Sequence, residues 1–273
     1  MRIYLFFLFF IFKITLLASP SAQAAVLAHD VYLPQKQFLH KYQSSDYELV
    51  EARTKSINYY LFSQKGQLFI VFEGTHNIAS LQSDLDVKEV QFLDKKDSRV
   101  HKGYFTEAMQ AYTFIRPYLG KEKKIIITGH SLGGAVGHLL ATLLYENGYS
   151  VKLYTFGSPP VGNKEFVEAI NGLPHERYTH VFDLIPLLKK EYVVKIKEAF
   201  TYVNRQLPEN KMLYDLIASV DEIPYEYVHQ GEHRYIYNLG NLPREYEQSP
   251  WYTQMLMRAQ LYHSSKNYLE GLK

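Results

Sequence analysis

The sequence predicts an α/β protein in which a mostly parallel central sheet is flanked by helices. Short runs of aliphatic and aromatic residues alternate along the chain with segments whose apolar residues have helical spacing. Those short runs are continuous and rich in β-branched and aromatic residues, which is typical of parallel strands that are buried on both faces. No repeat, low-complexity tract or shift in composition divides the chain, so a single domain of about 250 residues is expected.

The apolar runs predict four strands, and the periodic segments predict two helices. The strands are expected over residues 67–72, 124–128, 151–156 and 178–182. The helices are expected over residues 103–119 and 131–145, and Asn147-Gly148 ends the second one. Residues 187–227 are less regular, with a charged run and a predicted helix near residues 210–220.

Composition narrows the class of protein further. With 47% hydrophobic and 21% charged residues, the 273-residue chain is typical of a globular protein and unlike a disordered or collagen-like one. The chain has no cysteine. This excludes disulfides, thiolate metal sites, a cysteine nucleophile and a cysteine-linked lipid anchor.

Residues 1–24 have the pattern of a secretory signal peptide. The apolar run 3–12 is followed by Lys13, by the helix-breaking Pro20 and by the small-x-small sequence at residues 22–24. The run is shorter than the roughly 20 residues that span a bilayer, which argues against an uncleaved membrane anchor. We therefore expect cleavage after Ala24, a single domain over residues 25–273, and a protein that is secreted or periplasmic. Export without cysteine is ordinary for bacterial enzymes, so a bacterial source is expected.

The charge balance argues against binding to nucleic acid. Without Arg2 and Lys13 of the leader, the chain has 28 basic and 28 acidic residues. Nucleic-acid binding is driven by clustered Lys and Arg, and a neutral chain offers no such excess.

The strongest chemical signal is the sequence G-H-S-L-G-G at residues 129–134. It contains the G-x-S-x-G pattern and lies between a predicted strand and a predicted helix, which is the setting of a nucleophile elbow. There the turn lifts the serine hydroxyl clear of the sheet, and the helix N-terminus points free N–H groups at developing negative charge. We therefore predict that Ser131 is a nucleophile.

A serine nucleophile needs a base, and the base needs a carboxylate that orients it. In serine hydrolases with this elbow the chain order is Ser, then Asp or Glu, then His. Asp183 is the best acid, because it follows the predicted strand 178–182 at the end where sites gather in parallel sheets. Only His229, His233 and His263 follow Asp183 in the chain, and spacing alone does not separate His263 from His229 as the base.

A zinc site is the competing interpretation of two of these histidines. Residues 229–233 read H-Q-G-E-H, which matches a zinc motif that functions on a helix. Gly231 inside the motif and the strand-like residues 234–237 after it argue against a helix. We therefore expect no metal.

Several segments together resemble the class 3 lipases, the fungal-lipase-like branch of the α/β-hydrolases. The resemblance runs from about Asn58 to Leu269. The segments that carry it are I-V-F-E-G-T at 70–75, H-K-G-Y-F at 101–105, the elbow at 129–135, T-F-G-S-P at 155–159 with V-G-N at 161–163, D-L-I-P at 183–186, and Y-V-H at 227–229 with Gly231 and Glu232. It implies an α/β-hydrolase fold, and it implies that His263 rather than His229 is the catalytic base. It also implies an oxyanion hole made by Thr75, through its N–H and its hydroxyl, and by the N–H of Leu132.

This chain departs from the family pattern at three places. Pro160 and Glu73 stand where the family usually has arginine, at positions that do no chemistry. The region of the family lid, residues 76–96, lacks the usual tryptophan. Its mixture of apolar and charged residues suits an amphipathic cover over an apolar groove or a fixed surface segment, and the sequence does not choose between them.

The resemblance implies a secreted serine ester hydrolase of the triacylglycerol lipase or esterase type. Ser131, Asp183 and His263 would form the triad, with an acyl-enzyme on Ser131 and with no cofactor. The expected partner is a lipid or other ester substrate, met as a monomer through transient contact with a lipid interface. Phospholipase A1-type cleavage, another acyl ester, or acyl transfer would use the same residues. A non-catalytic binding protein with this fold is the remaining alternative, against which the intact triad argues.

Overall fold

A mixed seven-stranded sheet runs through the part of the chain that the computed structural model describes, namely residues 19–42, 48–53, 57–64, 66–75, 88–120, 124–187, 226–238, 244 and 251–272. Its strands are β1 (Glu48–Arg53), β2 (Asn58–Gln64), β3 (Gln67–Phe72), β6 (Lys124–His130), β7 (Val151–Phe156), β8 (His175–His180) and β9 (Glu232–Ile236), in that spatial order. The β1–β2 and β2–β3 pairs are antiparallel, and the pairs from β3 to β9 are parallel. A short antiparallel pair, β4 (Glu89–Gln91) and β5 (Arg99–His101), lies outside this sheet.

Helices cover both faces of the sheet. They are α1 (Pro20–Asp30), α2 (Gln35–Tyr42), α3 (Lys102–Ile115), α4 (Leu132–Glu146), α5 (Lys164–Ala169), α6 (Trp251–His263) and α7 (Ser265–Glu270). One face packs against α3, α4 and α5, and the other packs against α1, α2 and α7. The prediction of an α/β fold with a mostly parallel sheet flanked by helices is confirmed.

Strand β3 is apolar from Leu68 to Phe72 because its side chains are buried on both faces of the sheet. Leu68, Ile70 and Phe72 join the core under α3 and α4, whereas Phe69 and Val71 join the core under α1 and α2. All five side chains are at most 4% exposed. Burial of one such side chain contributes about 2 kcal/mol.

The predicted strand 178–182 is wrong in its bounds, because β8 spans His175–His180. Its polar residues hid it from a search for apolar runs, yet they are buried with partners. The His175 ring, for example, bonds to Thr155 (2.8 Å) and to Gln230 (2.8 Å). Phe182, which made the later window look apolar, lies beyond the strand and is 51% exposed. Asp183 therefore lies in a turn, where its N–H donates to the carbonyl of His180 (3.0 Å).

Helix bounds also differ slightly from the prediction. Helix α3 ends at Ile115, four residues before the predicted end, and a 3₁₀ turn over Arg116–Tyr118 follows it. Pro117 lies in this turn and has no N–H to continue the α-helical bonds. Helix α4 begins at Leu132, so Ser131 is its N-cap rather than its first helical residue.

Helix α1 contains the predicted leader boundary. The hydroxyl of Ser19 caps the helix by accepting from the N–H of Ala22 (3.2 Å). Ala24 and Ala25 are 1% and 2% exposed, and the Ala24 carbonyl accepts from the hydroxyl of Thr128 in β6 (3.1 Å). Cleavage after Ala24 would therefore divide a helix that is packed on the sheet, and it would leave a charged ammonium group at a buried position.

Two predicted features lie largely or wholly outside the described residues. The region compared with the family lid is described only from Lys88 onward, and the helix predicted near residues 210–220 lies outside. Of residues 187–227, only 187 and 226–227 are described. Within the described part of the chain, no helix combines the length and the apolar character needed to cross a membrane.

Candidate active site

Ser131 lies in the tight turn between β6 and α4. Its backbone has φ 54° and ψ −125°, which is an unfavourable conformation for a residue with a side chain. The turn is held by a hydrogen bond from the Ser131 N–H to the carbonyl of Phe156 (2.9 Å). A Cβ on Gly129 would overlap the backbone of Gly133, so the two glycines allow the strand and the helix to approach this closely. The geometry is that of a nucleophile elbow.

Asp183 is fully buried beside this elbow. Its Oδ1 accepts from the N–H of Ile185 (2.9 Å), and its Oδ2 accepts from Nδ1 of His263 (2.8 Å). Gly157, with φ +60°, makes room for the carboxylate, because a Cβ there would lie 2.9 Å from Oδ2. The carboxylate is thus fixed in one orientation in the interior.

His263, the last residue of α6, bridges Asp183 and Ser131. Its Nε2 lies 2.8 Å from the hydroxyl oxygen of Ser131, and the residue is 4% exposed. An ionised carboxylate only accepts, so Nδ1 carries the proton and Nε2 accepts from the Ser131 hydroxyl. Ser131 and Asp183, predicted from motif and chain order, and His263, selected by the family resemblance, therefore form one continuous line of hydrogen bonds. The imidazole is oriented to remove the serine proton.

Tyr268 of α7 adds a second donor to the same carboxylate. Its hydroxyl donates to Oδ2 of Asp183 (2.6 Å) and accepts from the N–H of His180 (2.9 Å). Burial, together with the nearby charge of Asp183, raises the pKa of Tyr268 well above its ordinary value, so the phenol stays protonated. Tyr268 has no role among the predictions made from the sequence. Its position five residues after the candidate base was the available signal.

Thr75 and Leu132 are the two residues expected to form an oxyanion hole for the Ser131 site. Leu132 is the first residue of α4, where backbone N–H groups have no partner within the helix. The backbone before Thr75 passes close to the elbow, because a Cβ on Gly74 would lie 3.4 Å from Cβ of Ser131. The buried Thr75 hydroxyl has no hydrogen-bond partner among the described residues. It is therefore available as a donor to a ligand.

His229, the other candidate for the base, has a different neighbour. Its Nε2 lies 2.7 Å from the carbonyl of Pro186, and the hydroxyl of Ser131 is paired with His263 instead. The zinc motif that begins at His229 continues into β9, so its residues do not share one helix face. In the described ranges, no group of three or more His, Asp or Glu side chains is arranged to hold a metal ion.

The sheet and the elbow at the end of β6 define the class of the protein, which is an α/β-hydrolase. A family model described as "Lipase (class 3)" matches residues 69–193. This stretch includes β3, the elbow and Asp183, and over it the chain is similar to the class 3 lipases.

Among curated proteins, the chain is 28% identical over 165 residues to "Toxin TseL" of Vibrio cholerae, which covers 58% of this chain and 26% of that protein. It is 33% identical over 134 residues to a lipase of Rhizomucor miehei, which covers 44% of this chain and 37% of that protein. The chain thus spans well under half the length of either relative.

Solved structures support the fold. The propeptide complex of the Rhizomucor miehei lipase aligns with 80% of this chain and 68% of its own, at a TM-score of 0.55 and 21% identity. A lipase from Rhizopus microsporus var. chinensis aligns with 60% of this chain and 67% of its own, at a TM-score of 0.51 and 24% identity. At these identities the likeness establishes the α/β-hydrolase fold.

Proposed function

We propose that this chain is a serine ester hydrolase that acts on lipid esters, with Ser131, His263 and Asp183 as its catalytic triad. The observation that carries the proposal is the line of two 2.8 Å hydrogen bonds from Asp183 through His263 to a serine in a strained turn. The lipases among the relatives support the substrate class.

The reaction proceeds through an acyl-enzyme. Ser131 Oγ attacks the ester carbonyl while His263 Nε2 takes its proton, and the imidazolium is stabilised by Asp183. The oxyanion is held by the backbone N–H groups of Thr75 and Leu132, with the Thr75 hydroxyl as a third donor. His263 then gives its proton to the leaving alcohol. In the second half-reaction His263 activates water, which attacks the acyl carbon and releases the fatty acid from Ser131.

The protein is exported, and we place the leader boundary at or before Ser19 rather than after Ala24. The capping bond of Ser19 and the burial of Ala24 support this placement, because both belong to a helix that packs on the central sheet.

The test is the hydrolysis of p-nitrophenyl esters from short to long acyl chains, with Ser131→Ala and His263→Ala alongside. We expect rates to fall by more than about a thousandfold in both variants, since triad residues act as a unit. A fluorophosphonate should label the wild type stoichiometrically at Ser131 and should leave Ser131→Ala unlabelled. Full activity in Ser131→Ala, or a wild type that is inert toward every ester, would overturn the proposal.

The same panel separates the candidate substrates. Triacylglycerols and sn-1-labelled phospholipids are compared at equal interfacial area, with an added alcohol as the competing acceptor. Release of fatty acid from triacylglycerol identifies a lipase, sn-1 release from phospholipid identifies a phospholipase A1, and ester formation with the alcohol identifies an acyltransferase. His229→Gln is the matched control for the base and should retain activity, because His229 bonds to Pro186 rather than to Ser131.

A further inference from the structure

Tyr32, in the N-terminal part of the chain, contacts the residue next to the candidate nucleophile. Tyr32 lies two residues after α1, and its hydroxyl oxygen is 2.9 Å from Nδ1 of His130, the residue before the candidate nucleophile. The two rings meet edge to face, with centroids 5.8 Å apart. A Cβ on Gly74 would overlap the same hydroxyl, so this oxygen lies directly against the backbone that leads to Thr75.

The His130 ring also forms a hydrogen bond to the residue that carries the catalytic imidazole. Its Nε2 lies 2.5 Å from the backbone carbonyl of His263. A carbonyl only accepts, so Nε2 carries the proton of the neutral ring and Nδ1 is the acceptor. Tyr32 must therefore donate its hydroxyl proton to Nδ1.

The electrostatic surroundings keep both groups in these protonation states. Burial lowers the pKa of His130 well below its ordinary value, and a charge on the neighbouring His263 lowers it further. Burial and the charge of Glu73 raise the pKa of Tyr32, against the opposing effect of a hydrogen bond from the N–H of Gly74. The Tyr32 oxygen thus accepts from Gly74 and donates to His130.

These hydrogen bonds connect the oxyanion hole with the catalytic imidazole, and these two groups must stay at a fixed separation during catalysis. One end of the line is the backbone beside Thr75, which would hold the oxyanion, and the other end is the backbone of His263. We infer that Tyr32 and His130 are positioning residues that set the distance between the oxyanion hole and the catalytic imidazole. The inference rests on the proposed function, because it assigns these residues to the same reaction.

If Tyr32 served only to pack against the core, removal of its hydroxyl would leave the catalytic rate unchanged. Tyr32 also belongs to the partly buried residues around the core formed by α1 and α2, where its ring fills space. Phenylalanine would fill the same space without the hydroxyl. Tyr32→Phe therefore separates the positioning role from packing. A misplacement of catalytic groups costs rate even when the substrate still binds.

The experiment measures kcat and KM on p-nitrophenyl butyrate, the rate of fluorophosphonate labelling of Ser131, and the Tm. For Tyr32→Phe we expect kcat and the labelling rate to fall by about tenfold, with KM within about twofold of wild type. Tyr42→Phe is the matched control. Its hydroxyl donates to Asp30 in the same N-terminal segment and away from the triad, so kcat should stay within about twofold of wild type.

Two variants of His130 complete the test. His130→Leu removes both hydrogen bonds, whereas His130→Gln can donate to the His263 carbonyl and accept from Tyr32. We expect His130→Leu to lose as much rate as Tyr32→Phe, the Tyr32→Phe/His130→Leu double variant to be little worse than either, and His130→Gln to regain part of the rate.

Wild-type rates in Tyr32→Phe, or losses that multiply in the double variant, would overturn the inference and leave the proposed function standing. If the wild type is inert and unlabelled, both fall together. The assays are run well below the Tm of each variant, so that a loss of rate does not reflect unfolding.

Discussion

The hydroxyl of Tyr268 donates a 2.6 Å hydrogen bond to the Asp183 oxygen that also accepts from the candidate base. A hydrogen bond to a charged group contributes about 1.5–3 kcal/mol. This bond helps to hold the carboxylate in the orientation that the imidazole needs.

Tyr268→Phe should therefore reduce kcat/KM by about tenfold or more, because a loss of about 1.4 kcal/mol corresponds to a tenfold change in rate. The measurement is the steady-state hydrolysis of a short-chain ester, with circular dichroism to verify folding. An unchanged kcat/KM in a folded variant would show that the bonds from Ile185 and His263 are sufficient to orient Asp183.

Thr75→Val and Thr75→Ser test the Thr75 hydroxyl, which has no hydrogen-bond partner in the part of the chain that the structure describes. Valine keeps the shape of threonine and removes the donor, whereas serine keeps the donor. If the hydroxyl contacts the oxyanion, Thr75→Val should lose about a hundredfold in kcat, and Thr75→Ser should stay within about fivefold of wild type. Equal rates in both variants would mean that only the backbone N–H of Thr75 takes part.

Gly157 and Gly148 form a matched pair for testing the space beside Asp183. Both have positive φ, +60° and +81°, so alanine at either position should cost about 1–2 kcal/mol in stability. Among the described residues, a Cβ on Gly148 would have no atom within 4 Å, whereas a Cβ on Gly157 would meet the carboxylate of Asp183 and the ring of Tyr268. We expect both variants to lose stability in urea titrations, and only Gly157→Ala to lose kcat as well. Comparable kcat losses at the two sites would contradict this account.

His175 should make the fold sensitive to acid. Burial lowers its pKa to about 3 from an ordinary value of 6.5. The unfolded chain then binds a proton that the folded chain does not, so the stabilisation is complete above about pH 6.5 and is lost as the pH falls toward 3. For this residue alone the free energy of unfolding should fall by about 2 kcal/mol between pH 7.5 and pH 5. Urea titrations across this range measure the fall.

His175→Gln provides the control, because glutamine does not titrate. We expect the variant to be less stable than wild type at neutral pH. Between pH 7.5 and pH 5, however, its free energy of unfolding should fall by about 2 kcal/mol less than that of wild type. A slope identical to wild type would mean that other groups, such as the buried His130 and His138, whose pKa values are also lowered by burial, account for the dependence.

The leader boundary can be measured directly. N-terminal sequencing of the exported protein should find a first residue at or before Ser19. A protein that begins at Ala25 should be less stable by about 2 kcal/mol or more than one that begins at Ser19, because it lacks the helix cap and leaves Thr128 without its acceptor. Equal Tm values for the two proteins would favour the boundary after Ala24 instead.

The central part of the fold was predictable because its strands are continuous runs rich in β-branched and aromatic residues. Strands β3, β6 and β7 and helix α4 were located from that pattern, with bounds that differ by two residues or fewer. Strand β8 was misplaced because its buried residues are polar and satisfied by partners distant in sequence. Helix α1 was overlooked since its alanines also suit a leader, and only tertiary packing shows that they are buried.

The residues of the candidate site were also predictable only in part. Ser131, Asp183 and His263 follow from chain order and from the resemblance to a family, although the geometry that joins them could not be read from spacing. Tyr32 gave no signal at all, because it acts through a hydrogen bond to a residue 98 positions away. Contacts of this kind depend on how two faces of a sheet are covered, which a linear pattern does not encode.

The packing of α1 against α7 has a consequence for when the proposed active site can form during synthesis. The triad bonds join residues 80 and 132 positions apart, and α1 packs beside the elbow against a helix that follows the candidate base. Contacts between such distant parts of a chain form late in folding, because long loops must close first. Synthesis must therefore reach at least residue 268 before the lines of hydrogen bonds around Ser131 can close. The nascent chain should therefore not hydrolyse the lipid esters of the cell that makes it.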